Sequence, residues 1–255
     1  MEVQKIQGEI LSGNALKIIA ALAMVADHVG LMFFPQVRIL RIIGRLAYPI
    51  FAYMIAQGCA HTGNRTRYFL RVFVLAVVCQ VVYFAASGDT YLSILVTFCC
   101  GIGMIYALQD MKLELYSREK PGYLGAVEFF LAVILVWLLC RRLSIDYGFW
   151  GCMVPVFASL FQSVDGAPDW MRKLDRKEVH VAMTGVGLLL LSWDAKGIQI
   201  WSLLALPLLL LYSGKRGKRN MKYFFYIFYP AHLAVLQGIA WLLALWGTSK
   251  SSFCS

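Results

Sequence analysis

Apolar residues fall along this chain in long unbroken blocks separated by short polar stretches, with neither the alternation of half-buried strands nor the narrow stripes of soluble helices. The blocks cover 15–34, 42–60, 68–87, 91–108, 122–140, 147–163, 178–193, 197–212 and 223–246. Most approach or exceed the roughly 18 residues that mark a transmembrane helix. The pattern predicts an all-α, polytopic membrane helix bundle with about nine transmembrane helices. It also predicts one membrane-embedded domain (15–246) between a cytosolic N-terminal segment (1–14) and a short tail (247–255). No small-residue cleavage site follows the polar segment MEVQKIQGEILSGN, so the first block reads as an uncleaved span. Ser87-Gly88-Asp89-Thr90 and Asp194-Ala195-Lys196 are short enough for tight hairpins. The longest connector, about 164–177, reads as solvated and too short to fold alone.

Composition strengthens the membrane reading. The chain has 255 residues, 60% hydrophobic and 15% charged, with a mean hydropathy of +0.67; a soluble domain carries about 25% charged residues. If the N-terminus is cytosolic, 17 of the 24 lysines and arginines lie on the inner side, as the positive-inside rule expects. The expected orientation therefore has the N-terminus in the cytosol and the C-terminus outside. The net charge of +10 calls for no nucleic-acid partner, because a run such as KRGKR (215–219) suits a loop beside anionic lipid. The seven cysteines show no C-x-x-C or Cys/His ligand spacing, so neither a metal nor a disulfide framework is inferred.

Several polar residues interrupt the blocks, and ionisable groups at membrane depth are costly and often functional. Asp27-His28 lies within ALKIIAALAMVADHVGLMFF. Lys17 precedes His28 by eleven residues, which is about three helical turns and roughly 16 Å. Asn14, Lys17, Ala21, Met24 and His28 thus form one helix stripe. His232 falls at similar depth in the last block, within YIFYPAH, where Pro230 loosens the helix. Asp146 begins DYGFWG, and Arg41 and Arg45 share a face four residues apart. Together these residues could line a polar cavity open to the outer half of the bilayer. Plainer roles exist for each. A span histidine can be an interhelical hydrogen-bond partner, Arg45 can pair with Asp27, and Asp146 can cap the following helix. Asp27 points about 100° away from His28, so Asp146 is the freer carboxylate to orient that ring.

The blocks LSGNALKIIAALAMVADHVG, GRLAYPIFAYMIAQGCAHTGN, DYGFWG and KYFFYIFYPAHL resemble, in order, the signatures of the TraX family across roughly residues 11–237. These are multi-span bacterial membrane proteins named for acetylation of the conjugative pilin's N-terminus. Cys79-Gln80-Val81-Val82 departs from the family pattern, which has an acidic residue and a proline there. More distantly, the chain resembles the acyltransferase type 3 superfamily, whose first span has Arg, ten residues and a catalytic His; here Lys17 takes the basic position. The resemblance implies transfer of an acetyl or other acyl group from cytosolic acyl-CoA, with no metal, to an acceptor at the outer side. That acceptor is an amine or hydroxyl of a pilin-like protein, glycan, lipid or small molecule. On this reading Lys17 and Asn14 hold the phosphates of acetyl-CoA, and His28 is the general base or a transient acyl carrier. His232, Tyr229 or Arg45 donates to the oxyanion, Arg41 contributes to the substrate site, and Asp27 and Asp146 complete the catalytic set. A transporter or channel for a small polar or anionic solute is the alternative that midplane charges and a Pro-interrupted span also suit.

Overall fold

The computed structural model describes residues 10–116, 123–218 and 221–251. Residues 1–9 of the N-terminal segment, Arg118, Lys120, Arg219 and Cys254 lie outside the described residues. Eleven α-helices follow one another: α1 (Gly13–Met32), α2 (Arg38–Gly44), α3 (Ala47–His61), α4 (Arg65–Ser87), α5 (Ile94–Tyr116), α6 (Tyr123–Arg142), α7 (Gly148–Ser159), α8 (Asp169–Leu174), α9 (Lys177–Ala195), α10 (Ala205–Leu210) and α11 (Lys222–Ser251). A 3-10 helix, Gly197–Leu204, joins α9 to α10. No β-strand occurs among the described residues; two isolated bridges, Leu11 with Tyr212 and Leu92 with Ile145, tie loops together at opposite ends of the bundle.

Among the described residues, six segments are long and apolar enough to cross a membrane: Gly13–Met32, Arg38–His61, Arg65–Ala85, Ile94–Tyr116, Tyr123–Arg142 and Phe224–Leu243. The all-helical, multi-pass expectation holds at that level. Three of the nine expected spans fall on other kinds of helix. The block at 147–163 yields only the twelve-residue α7, and that at 197–212 is divided between 3-10 and α geometry. In α9, Lys177, Glu178, His180 and Asp194 shorten the apolar stretch from both ends. The second span starts earlier than expected and is broken between α2 and α3. Pro49 explains the break, since it has no N–H to give the Arg45 carbonyl four residues before it.

Local sequence sets several boundaries. Ser12 caps α1 by accepting from the Ala15 N–H at 3.2 Å, and Asn64 caps α4 by accepting from Arg67 N–H at 2.8 Å. Gly88 ends α4 in the left-handed region, its N–H donating to the Phe84 carbonyl. The connector 164–177 is more ordered than a solvated loop. It contains α8, buries Ala167 and Met171, and holds Asp175 against Ser163 and His180.

Helices α3, α5, α7 and α9 form the packed centre, with Tyr48, Ile50, Tyr53, Ile102, Met104, Leu108 and Leu188 almost fully enclosed. Gly101 and Gly187 let α5 and α9 approach α7 closely; a Cβ on Gly101 would lie 2.6 Å from the Pro155 ring. Helices α4, α6 and α11 are peripheral and turn valine, leucine and tryptophan side chains outward, as a bundle in lipid does. Cys59, Cys79, Cys99, Cys100, Cys140 and Cys152 carry free thiols, most of them buried.

Candidate functional site

Helix α1 is the spine of the site. Its stripe behaves as the helical period requires: Asn14, Lys17, Met24 and His28 all line one cavity of about 1200 Å³, while Ala21 is buried behind them. Asp27, Arg41, Arg45, Asp146 and Tyr229 line the same cavity. It therefore runs from the N-terminal turn of α1 to the polar cluster near that helix's C-terminal end, with Lys17 and His28 roughly 16 Å apart along the helix.

Two imidazoles meet near that cluster. The His28 and His232 ring centroids are 5.2 Å apart with the planes inclined by 74°. His28 Nδ1 donates to the Met24 carbonyl at 2.8 Å, and His232 Nδ1 donates to the Phe228 carbonyl at 3.0 Å. A carbonyl only accepts, so each Nδ1 carries a proton, and the neutral form of either ring has its lone pair on Nε2. His232 Nε2 is buried and has no hydrogen-bond partner among the described residues. His232 does not reach the cavity wall; it stacks on Phe228 and meets Tyr229 edge-on. Each ring is thus oriented by its own helix backbone, and neither Asp27 nor Asp146 is seen bonding to a histidine.

Asp27 is occupied by cations. Arg45 Nη2 donates to both of its carboxylate oxygens at 2.8 Å, and Arg41 Nη1 lies 2.9 Å from Oδ2. Arg45 Nη1 also reaches the Gln199 side-chain oxygen at 3.2 Å, joining the 3-10 helix to the cluster. Gly44 makes this approach possible, because a Cβ there would sit 2.2 Å from Asp27 Oδ1.

Asp146 is positioned by the loop bridge, with its N–H donating to the Leu92 carbonyl at 2.9 Å. Its carboxylate accepts from the Tyr91 hydroxyl at 2.8 Å. Burial pushes the Asp146 carboxyl above its usual range, opposed by the Tyr91 hydrogen bond and the Arg45 charge. Asp146 does not cap α7. The residue at that cap is Tyr147, in the left-handed region at φ 60° with no side-chain cap bond. Tyr147 stacks on Tyr48 with centroids 4.1 Å apart, and Tyr48 donates to the Gly151 carbonyl at 2.5 Å. That packing holds a backbone conformation that a bulky residue rarely adopts.

At the other end, the loop after α10 wraps the start of α1. Gly13 N–H donates to the Lys215 carbonyl at 2.8 Å and Asn14 N–H to the Arg216 carbonyl at 3.0 Å. With Ser12 accepting from Ala15, the helix's first amides are all in use, so side chains must supply any anion site here. Lys17 Nζ lies 5.9 Å from the Phe225 ring centroid, and Arg216 is close enough to act on Lys17 electrostatically. In the sequence Arg216 is one charge of a surface run; in the structure it stands on the cavity wall, as do Tyr91, Tyr147, Arg71 and His61, none of which the sequence pattern marks as site residues. No signal in the chain pairs residue 216 with residue 17; the loop's path does so. No group of three or more His, Cys, Asp or Glu arranged to hold a metal ion occurs among the described residues.

A family model described as "TraX protein" matches residues 12–240. The chain belongs to the TraX family. One relative, the "Probable fimbrial assembly protein FimC" of Dichelobacter nodosus, is 28% identical over 251 residues, covering 88% of this chain and 94% of that protein. An uncharacterized protein of Rickettsia prowazekii (strain Madrid E) is 28% identical over 135 residues, covering 53% of this chain and 50% of that protein. No solved structure matches. The TraX match takes in every cavity-lining residue discussed above and both histidines.

Proposed function

We propose that this TraX protein is a membrane acyltransferase that moves an acyl group, usually acetyl, from cytosolic acyl-CoA to an amine or hydroxyl at the outer side of the membrane. The observation that carries this reading is one cavity lined both by Lys17 and Arg216 and by His28, about 16 Å from Lys17 along α1. CoA is anionic at one end and narrow along its pantetheine arm, so phosphates held at the mouth leave the thioester near the histidines. Lys17 offers a point charge where the related superfamily has an arginine fork. In the transfer step, His28 Nε2 takes the proton of the acceptor N–H or O–H as that atom attacks the thioester carbonyl. The new C–N or C–O bond forms, the C–S bond breaks, and CoA leaves as a thiolate that is then protonated. Tyr229 and Arg45 line the cavity as donors toward the developing oxyanion. His232, packed on His28 from outside the cavity wall, is a positioning residue.

The printed name of the Dichelobacter relative favours a fimbrial or pilin-like acceptor over a glycan, lipid or small molecule. The charge distribution supports a cytosolic N-terminus and an inner-membrane location. Mass spectrometry of surface proteins from cells with the wild-type protein, the His28→Ala variant or neither tests the assignment. The expected result is an acyl mark on a surface protein in the first sample alone. Identical acylation in all three would remove the proposal. Uptake of a small anion by proteoliposomes, with no acylation in any sample, would instead favour the transporter.

A further inference from the structure

Between α4 and α11 lies a second, shallower cavity of about 1000 Å³, open to the outside of the bundle. One wall is a stripe of α4 in which Arg67, Arg71, Val74, Val78 and Val82 succeed one another at three- and four-residue steps. The facing wall is α11 around Ile227, Pro230 and Ala234. The groove is apolar except at the start of α4, where both arginines are exposed. From Arg71 to Val82 the stripe runs about 16 Å, close to the roughly 15 Å depth of one leaflet's hydrocarbon. Arg71, Leu75 and Tyr226 also line the catalytic cavity, so the two spaces share a wall.

We propose that this groove binds one anionic phospholipid of the leaflet at which α4 begins, which is the cytosolic leaflet in the proposed topology. The phosphate rests on Arg67 and Arg71, and one acyl chain lies along Val74, Val78 and Val82. Charge complementarity and length select this occupant over a protein helix. A helix would need ridges to fill the valines' face, and an apolar one would leave the two guanidinium groups without an anion. The bound lipid completes the outer side of the wall that carries Arg71 and Tyr226, closing the cavity against the bilayer.

The test reads lipid directly and needs no acyl transfer, so it can fail while the acyltransferase reading stands, and the reverse. The full chain is reconstituted in phosphatidylcholine nanodiscs containing a minor fraction of phosphatidylglycerol, then extracted gently, and its retained lipids are quantified by mass spectrometry. Wild type should retain phosphatidylglycerol above its proportion in the disc. Arg67→Gln and Arg71→Gln should each lower that enrichment about five-fold. Val78→Trp, which fills the groove and keeps both charges, should lower the total lipid retained. Leu131→Trp, on the exposed face of α6, should change neither quantity. Enrichment that is absent in wild type, or equal in wild type, both Arg variants and Val78→Trp, overturns the proposal. So does a crosslink from a Val78→Cys variant to a second copy of the chain in the same discs, since a protein would then occupy the groove.

Discussion

Replacing Asp27 with alanine removes the one carboxylate that Arg41 and Arg45 share and leaves two guanidinium groups inside the bundle without it. Arg45 is the more affected. Its side chain is 12% exposed, whereas Arg41, at 25%, can turn toward the cavity's water. Breaking a buried ion pair from one side costs about 3–5 kcal/mol, because the remaining charge stays desolvated. Partial access to the cavity puts this case near 3 kcal/mol, the lower end of that range. For a chain of this size that corresponds to a fall in Tm of roughly 6–12 °C. The double variant Asp27→Ala/Arg45→Met removes the stranded charge and fills its volume with an apolar side chain, so it should regain at least half of the loss. Both variants and wild type can be compared by tryptophan fluorescence melts in one detergent at one scan rate, since membrane proteins commonly unfold irreversibly. If Asp27→Ala melts with wild type, or if the double variant melts no higher than Asp27→Ala, the pair does not tie α1 to the break between α2 and α3 and the argument fails.

The remaining predictions concern chemistry and orientation. His28→Ala should abolish acyl transfer while the protein remains inserted with an unchanged melt. His232→Ala should lower the rate but leave measurable turnover, and the opposite ranking in a radiolabelled transfer assay would exchange their roles. Lys17→Ala should weaken acyl-CoA affinity more than it lowers kcat and flatten the dependence of affinity on salt, whereas Lys17→Arg should keep most activity. Equal affinities and salt slopes in wild type and Lys17→Ala, measured by calorimetry, would leave Lys17 as a membrane anchor. Reporter fusions after residues 89, 145 and 195 should read outside, and fusions after 115, 172 and 217 inside; the reverse pattern would invert the cofactor's route.

The parts of this protein legible in its sequence are those that one helix settles by itself. The stripe from Asn14 to His28 follows from helical period alone, and its members meet the cavity as expected. The Asp27–Arg45 pair was also within reach, since two opposite charges in adjacent apolar blocks have few other partners. The hidden parts depend on where the chain turns. Nothing in DYGFWG announces that Tyr147 adopts a left-handed conformation and gives its ring to Tyr48. Nor does KRGKR announce that its backbone caps α1 and sets Arg216 beside Lys17. Apolar length alone also does not tell a regular helix from an irregular one. A block such as 197–212 is as apolar as a long helix, but it divides between 3-10 and α geometry and packs against α9.

The backbone hydrogen bonds of the two histidines constrain the traffic of protons through the site. A ring that gives its Nδ1 hydrogen to a main-chain carbonyl cannot pass charge across itself by exchanging tautomers, because that oxygen has no proton to return. Such an imidazole loads and unloads through one nitrogen on one side. In the proposed transfer, the proton that His28 Nε2 collects from an incoming acceptor departs from the same atom, to the sulfur that is leaving. Each turnover is then self-contained. The histidine returns to its starting state without drawing hydrogen ions from either side of the membrane, so the proposed transfer should run at a rate indifferent to the proton gradient across the bilayer.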